Sequence, residues 1–378
     1  MDAVTPAMPS SLNANAVLTV DLDALGANYR LLKDKIGGAV CAGVVKANGY
    51  GLGSGVVAQR LWREGCRLFF VATIDEAITL RDALGDEAAI ATLSAYVRGS
   101  EVELIRYNLI PVLNDQEDIR YWRSAARASD RHLPAMIQFD TGMSRLGLPP
   151  DQLDAVADDP DAFQGLDVHY TLSHLASADV AGSPQNEEQL TRFTAGYNRL
   201  SRHIDQNRAS FANSAGIFLG HDYHLDMVRP GIALYGGNPT PHTDNPMQPV
   251  VKLTARILQI REIPAGQSVG YGASWTAERP SRIATLGLGY ADGFLRTGSN
   301  QGHVAFGTLK APIVGRISMD LTGIDVTDIA PEICRPGDQI EIIGDHRPVD
   351  DAATDHMTIS YEMLTSLGNR YRRVYETG

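Results

Sequence analysis

The chain has 378 residues, with 33 Lys plus Arg against 45 Asp plus Glu and a formal net charge of −12. So acidic a surface repels phosphate backbones and excludes nucleic acid as an expected partner. Apolar residues make up 44% and mean hydropathy is −0.14, which fits a globular chain with a large core.

The length suggests two or three domains. Cys41, Cys66 and Cys334 are odd in number and far apart, so they form neither a disulfide framework nor a metal-binding pair; a reducing cytoplasm suits them. The longest purely apolar stretches, such as residues 68–72, fall far short of the ~20 residues of a membrane span. The N-terminal MDAVTPAMPSSLNANA lacks a basic region and a continuous apolar run, so residues 1–14 are expected to be a flexible leader, not a signal peptide.

Next in the chain, Leu22, Leu25, Tyr29, Leu32 and Ile36 recur at spacings of three and four, one face of an amphipathic helix. AVCAGVVKA (39–47) reads as a buried strand. Strand-then-helix units repeat: 67–72 with 74–84, 88–93 with 100–107, 109–113 with 115–128. Residues 134–140 and 165–175 are further strands, and a long helix is predicted from Ser183-Pro184 to about Asp205. FANSAG (211–216) and VRPGIALYG (228–236) close a series whose length predicts a TIM-like (β/α)8 barrel over residues 15–245. After the turn-rich 236–249, glycine-punctuated strands at 252–263, 282–293, 303–327 and 338–344 predict a mostly-β domain over 246–378. One helix is expected there, at 358–369.

NGYGLGSG (48–55) lacks the third glycine of a dinucleotide loop, and no GxxxxGK[ST] occurs, so neither NAD nor ATP is indicated. His221 and His224 have no third ligand at recognisable spacing; they read as surface histidines, and no metal is expected. Lys46 closes an apolar strand directly before the glycine-rich loop, at the barrel end where such enzymes place their chemistry. Desolvation there makes an amine nucleophilic. A lysine that merely snorkels to the rim fits the same position.

VVKANGYGLG (44–53) resembles the pyridoxal-phosphate lysine segment of alanine racemases. The likeness continues in order through DTGMSRLG (140–147), SHLASAD (173–179), ANSAG (212–216), MVRPGIALYG (227–236), VGYGASW (269–275), GYADGFLR (289–296), GRISMD (315–320) and TISYE (358–362). It implies a fold-type III enzyme interconverting L- and D-alanine, with Lys46 carrying the cofactor as an aldimine. Lys46 and Tyr271 would be two bases on opposite faces of Cα. A free phenol titrates near pH ~10, so a tyrosine base needs cationic or hydrogen-bonding support, a role the resemblance assigns to His174.

Arg229 is implied as the partner of the pyridine nitrogen, where a permanent cation cannot take up its proton. Its other reading is an ion pair with a carboxylate such as Asp226. Tyr50, Ser214, Gly231, Ile232 and Tyr361 would hold the phosphate, and Arg145 with the Met319 backbone the substrate carboxylate. Asp179, Tyr290, Arg296, Arg316 and Asp320 match a polar access corridor. Tyr271 and Met319 would complete the site of a second protomer, so a homodimer is implied. Where many relatives carry a carbamylated lysine, this chain has Gln138. Either its amide oxygen orients Arg145 or an anion such as chloride supplies the missing charge. The function implied is D-alanine supply for peptidoglycan. Alternatives are a broader or serine-preferring racemase, an amino-acid decarboxylase on the same plan, and a cofactor carrier related to the barrel alone.

Overall fold

The structure, a computed structural model, describes residues 13–94 and 99–377. The expected leader lies outside these residues except for Asn13 and buried Ala14. Two compact units emerge, one of residues 26–234 and 238–246, the other of 247–378 with 235–237 and the chain before Gly26. The strand β1 (Ala16–Asp21) therefore belongs with the second unit and not with the barrel that follows it in sequence. Its alternating burial leaves one face to be covered, and it finds its partners in the antiparallel sheet.

The first unit is a parallel sheet of nine segments: β2 (Val40–Cys41), β3 (Gly43–Val44), β4 (Leu68–Val71), β5 (Ala89–Thr92), β6 (Ile110–Leu113), β7 (Leu133–Gln138), β8 (Leu166–Leu172), β9 (Ala209–Ser210) and β10 (Met227–Val228). Because β2 pairs with β10 and β3 with β4, one stretch of chain joins both ends of the sheet. Its nine segments make eight staves, and the barrel closes. All four residues of β4 and of β6 are buried, as expected where helices cover the outside and side chains fill the inside. Helices such as Ile74–Leu84 and Gln116–Ser129 follow their strands and start at the side-chain caps Thr73 and Asp115. The long helix, Pro184–Leu200, stops earlier than its sequence pattern suggested, and the chain then turns through Gln206 at φ 53°.

The second unit is built on β11 (Val251–Ile263), which pairs antiparallel with β1. A hairpin of β12 (Ser268–Val269) and β13 (Trp275–Thr276) carries Tyr271 at its turn. Then come β14 (Ser281–Leu286), β15 (His303–Phe306), β16 (Leu309–Pro312), β17 (Thr322–Asp325), β18 (Gln339–Ile343) and β19 (Arg372–Glu376). Their pairings are antiparallel, save that β19 lies parallel to β1. There are two short helices, Val349–Asp355 and Ser360–Thr365, where one was expected. The missed one starts just after Pro348 with Asp350 and Asp351 in its first turn, the usual signs of a helix start.

Candidate active site

A cavity of about 210 Å³ is lined by Lys46, Ala72, Ser94, Gln138, Asp140, Arg145, Ser173, His174 and Arg229. Every one of these follows or ends a barrel strand at its C-terminal end, so the cavity is the mouth of the barrel.

Lys46 lies two residues beyond β3, and the chain after it is contorted. Ala47, Asn48, Gly49, Tyr50 and Gly51 all have positive φ, at 53°, 53°, 64°, 54° and 82°. Left-handed backbone costs about 1–2 kcal/mol for each residue with a side chain, so the turn needs support. Internal hydrogen bonds from Gly49 N to Val45 O and from Gly51 N to Ala47 O supply some, each 2.8 Å. The rest comes from Glu76, whose Oε1 accepts Ala47 N–H at 2.6 Å while Oε2 accepts Ala72 N–H at 2.8 Å. Burial and Arg145 push the Lys46 amine below its ordinary range; Glu76 opposes them and Arg229 adds to them. An amine of lowered basicity is a better nucleophile near neutral pH than a free lysine.

Arg229 is buried and donates to Ser210 Oγ, to Ser173 O at 2.6 Å and toward His174 Nδ1 at 3.4 Å. Burial lowers it to about 10. Asp226 is not its partner: that carboxylate accepts Ala209 N–H at 2.7 Å, and among the described residues Arg229 has no ion pair. His174 is pushed down to about 3 by burial, then by Arg229, Arg145 and Lys46. It is thus neutral at physiological pH and offers a hydrogen bond, not a positive charge.

A second feature assembles Tyr50, Ser214 and Gly231. Ser214 Oγ accepts the N–H of Gly231 at 2.8 Å and of Ala233 at 3.3 Å. A Cβ on Gly231 would stand 2.1 Å from the Tyr50 hydroxyl, so only glycine lets that hydroxyl approach the backbone this closely. Ile232, buried, follows Gly231 at the start of a short 3-10 helix. Two hydroxyls grouped with backbone N–H groups are donors that suit a phosphate dianion.

Arg145 projects from a loop held by Asp140, whose Oδ1 accepts the N–H of Gly142 at 3.0 Å, Met143 at 2.9 Å and Ser144 at 3.1 Å. Gly147, at φ 104°, closes the loop where a Cβ would lie 2.7 Å from the Phe139 carbonyl carbon. Gln189 ties this loop to the His174 segment by donating to Thr141 Oγ1 and His174 O, each at 3.0 Å. Gln138 lines the cavity, and no hydrogen bond joins it to Arg145 among the described residues. Asp179 is exposed.

Other expected residues belong to the second unit. Tyr271 is 72% exposed on its hairpin, and Arg316 packs against its neighbour Gly272, where a Cβ would lie 3.0 Å from Nη1. Ser318 O accepts Tyr290 N–H at 3.0 Å and Met319 O accepts Ala291 N–H at 2.9 Å, joining those two segments. Asp320 pairs with Arg370 at 2.7 Å, while Tyr361 and Arg296 are exposed. Among the described residues no cluster of three or more possible metal ligands occurs. His224 is not a surface group: it is buried and its Nε2 bonds Ile217 O at 2.9 Å.

Glu76, Asp140 and Gln189 were not anticipated. Thr73-x-x-Glu76 is a visible capping box, confirmed at the start of the helix Ile74–Leu84. Nothing local tells that the carboxylate also reaches Ala47.

An amine of lowered basicity among cations at the mouth of a barrel fits the class of enzymes that join a carbonyl compound to lysine. Comparison with known proteins narrows it. The N-terminal domain model of alanine racemases matches residues 20–239, and the C-terminal domain model matches residues 250–375. The chain is 46% identical to a catabolic alanine racemase of Mesorhizobium japonicum, with all of both chains covered. It is 47% identical to an alanine racemase of Rhodospirillum rubrum over 96% of each chain. A crystal structure of alanine racemase from Bartonella henselae with covalently bound pyridoxal phosphate superposes with a TM-score of 0.92 at 43% identity, covering 96% of this chain and 100% of that one. The chain belongs to the alanine racemase family.

Proposed function

We propose that this chain interconverts L- and D-alanine with Lys46 and Tyr271 as the opposing bases. Its family makes it an amino-acid racemase, an isomerase that depends on pyridoxal phosphate. The residues at the barrel mouth fit that cofactor. Lys46 is an amine of lowered basicity, the Tyr50, Ser214 and Gly231 cluster suits its phosphate, and among the described residues Arg229 is a buried cation with no ion pair. Bound there, pyridoxal phosphate supplies an electron sink for the charge left at Cα when its proton departs.

The chain's own groups do the rest. Lys46 Nζ takes or returns the Cα proton on one face, and Tyr271 Oη does so on the other, as inversion requires. Arg229 would hold the cofactor's ring nitrogen as a donor that cannot take up its proton, a role that would favour proton exchange over loss of carbon dioxide. Neutral His174 supplies a hydrogen bond near this centre. Arg145, with the Met319 backbone, holds the substrate carboxylate. An anion such as chloride beside Gln138 supplies the negative charge that steadies Arg145. Tyr361 closes the phosphate site, and Asp179, Tyr290, Arg296, Arg316 and Asp320 line the approach.

The exposure of Tyr271 and of Met319, at 72% and 53%, supports a homodimer in which each chain completes its partner's site. Buried, unpaired Cys41, Cys66 and Cys334 support a cytoplasmic enzyme. No described helix is long and apolar enough to cross a membrane. The observation that carries the reading is the Lys46 amine set among Arg145, Arg229 and His174 at the barrel mouth.

The test incubates the holoenzyme with L-alanine in D2O and follows chirality, Cα deuterium and carbon dioxide. Racemisation with deuterium uptake and no gas supports the proposal; gas release points to a decarboxylase, and inert protein to a carrier. For the cell, we propose D-alanine supply for peptidoglycan. The catabolic name of the Mesorhizobium relative favours a second role, growth on alanine. Deleting the gene separates them: the first predicts a D-alanine requirement, the second failure to grow on one of the two alanine isomers.

A further inference from the structure

The turn that presents Lys46 is supported from outside itself. Five successive residues, 47–51, adopt left-handed backbone although Ala47, Asn48 and Tyr50 carry side chains. Such a run is costly and persists only where the surrounding structure fixes it; the bonds of Gly49 N–H and Gly51 N–H are internal, but that of Ala47 N–H is not. Ala47 N–H donates to Glu76 Oε1 at 2.6 Å. The other carboxylate oxygen accepts Ala72 N–H at 2.8 Å and Thr73 N–H at 3.3 Å. Ala72 directly follows β4, the stave next to β3, so one carboxylate bridges the ends of two adjacent staves.

We propose that Glu76 is a positioning residue for Lys46, locking the left-handed turn onto the neighbouring stave and supplying the negative charge beside the amine. This rests on Lys46 being the cofactor-bearing lysine. A cap of the helix Ile74–Leu84 would need only the Thr73 and Glu76 exchange; the Ala47 bond goes beyond it. The charged groups acting on Lys46 are Arg145, Arg229 and Glu76, with neutral His174 close by. Asp140 also lines the cavity, but its carboxylate is taken up by the N–H groups of residues 142–144. Glu76 is therefore the carboxylate that opposes two cations there.

The role can be read without turnover. The full-length chain is stripped of cofactor, and covalent capture of pyridoxal phosphate is followed by absorbance from pH 5.5 to 9.5. Capture forms a C=N bond between Lys46 Nζ and the aldehyde carbon and releases one water; the amine first gives its proton to solvent. The rate thus follows the neutral amine. Glu76→Gln removes the charge, Thr73→Ala removes only the cap, and Glu76→Asp keeps the charge on a shorter arm. The pH midpoint of capture is expected to fall by about one unit in Glu76→Gln. It should stay at the wild-type value in Thr73→Ala and Glu76→Asp, with capture slowed severalfold in the latter. An unchanged midpoint in Glu76→Gln, or an equal shift in Thr73→Ala, overturns the proposal. If Glu76→Gln does not fold, Glu76→Asp decides: wild-type capture rate and midpoint there overturn it. Borohydride reduction and peptide mapping of the wild type keep the two readings apart. A label elsewhere than Lys46 defeats the cofactor assignment itself.

Discussion

Arg229 Nη2 stands 3.4 Å from His174 Nδ1, with no carboxylate between them, inside the mouth of the barrel. A guanidinium can only donate, so the arrangement favours an imidazole whose Nδ1 is unprotonated. Replacing Arg229 by Gln removes the cation, and the His174 pKa should climb from about 3 by about one unit. Histidine NMR titration of the chain measures this; an unmoved midpoint would show that burial, with Arg145 and Lys46, holds His174 neutral without Arg229. Ser173 O and Ser210 Oγ lose a charged donor at the same time, at a cost of about 1–3 kcal/mol in urea unfolding.

Tyr271→Phe should cut proton abstraction from L-alanine by about 10²- to 10⁴-fold while D-alanine still exchanges its Cα proton with solvent. Deuterium uptake from each isomer, followed separately, is the measurement. Equal losses from both isomers count against a division of labour between two bases.

Gly231→Ala places a methyl where the Tyr50 hydroxyl now sits, with only 2.1 Å between the atoms. Tyr50 must move, and cofactor retention should weaken about tenfold or more, an overpacking penalty of about 1–3 kcal/mol. Equilibrium dialysis against pyridoxal phosphate checks it. Retention at wild-type strength would separate this cluster from the phosphate.

If a halide steadies Arg145, the KM for alanine should be lower in sodium chloride than in sodium gluconate of equal ionic strength. Gln138→Glu supplies a fixed charge and should abolish the difference. Identical KM values for the wild type in both salts remove the anion from the account.

His356 is fully buried beside Phe294, donates Nδ1–H to Leu295 O at 3.0 Å, and is lowered to about 4 chiefly by burial and then by Arg347. The unfolded chain takes up this proton near pH ~6.5 and the folded chain only near 4. Protons thus favour unfolding, and stability falls as pH drops from ~6.5 to 4, by about 3 kcal/mol from this group. His356→Gln should show a shallower loss across that window in pH-dependent urea unfolding, whatever its stability at neutral pH. A slope matching wild type would assign the acid sensitivity to other groups.

Lys46 stood out locally, as a lysine closing an apolar run before a glycine-rich loop, although a rim lysine fits the same position. Arg145, Arg229 and Tyr271 were legible only through the order of motifs that resembles a known family. Glu76 did not stand out. Its capping role is a local pattern, but its bond to Ala47 depends on β3 and β4 being neighbours. Gln189 escaped notice for the same reason: a glutamine on a helix looks like a solvent residue until the helix buries it against two loops.

The alternation of buried strands and amphipathic helices, set by periods of two and 3.6, was enough to determine a barrel followed by a β-domain. The order of the motifs was enough to determine the family. Tertiary structure alone decided that β1 leaves the barrel for the second sheet, that Arg229 has no ion pair among the described residues, and that His174 stays neutral. The physical reason is common to all three. Strand partners, ion pairs and desolvation depend on what lies across space, and a linear sequence carries only the near neighbours of each residue.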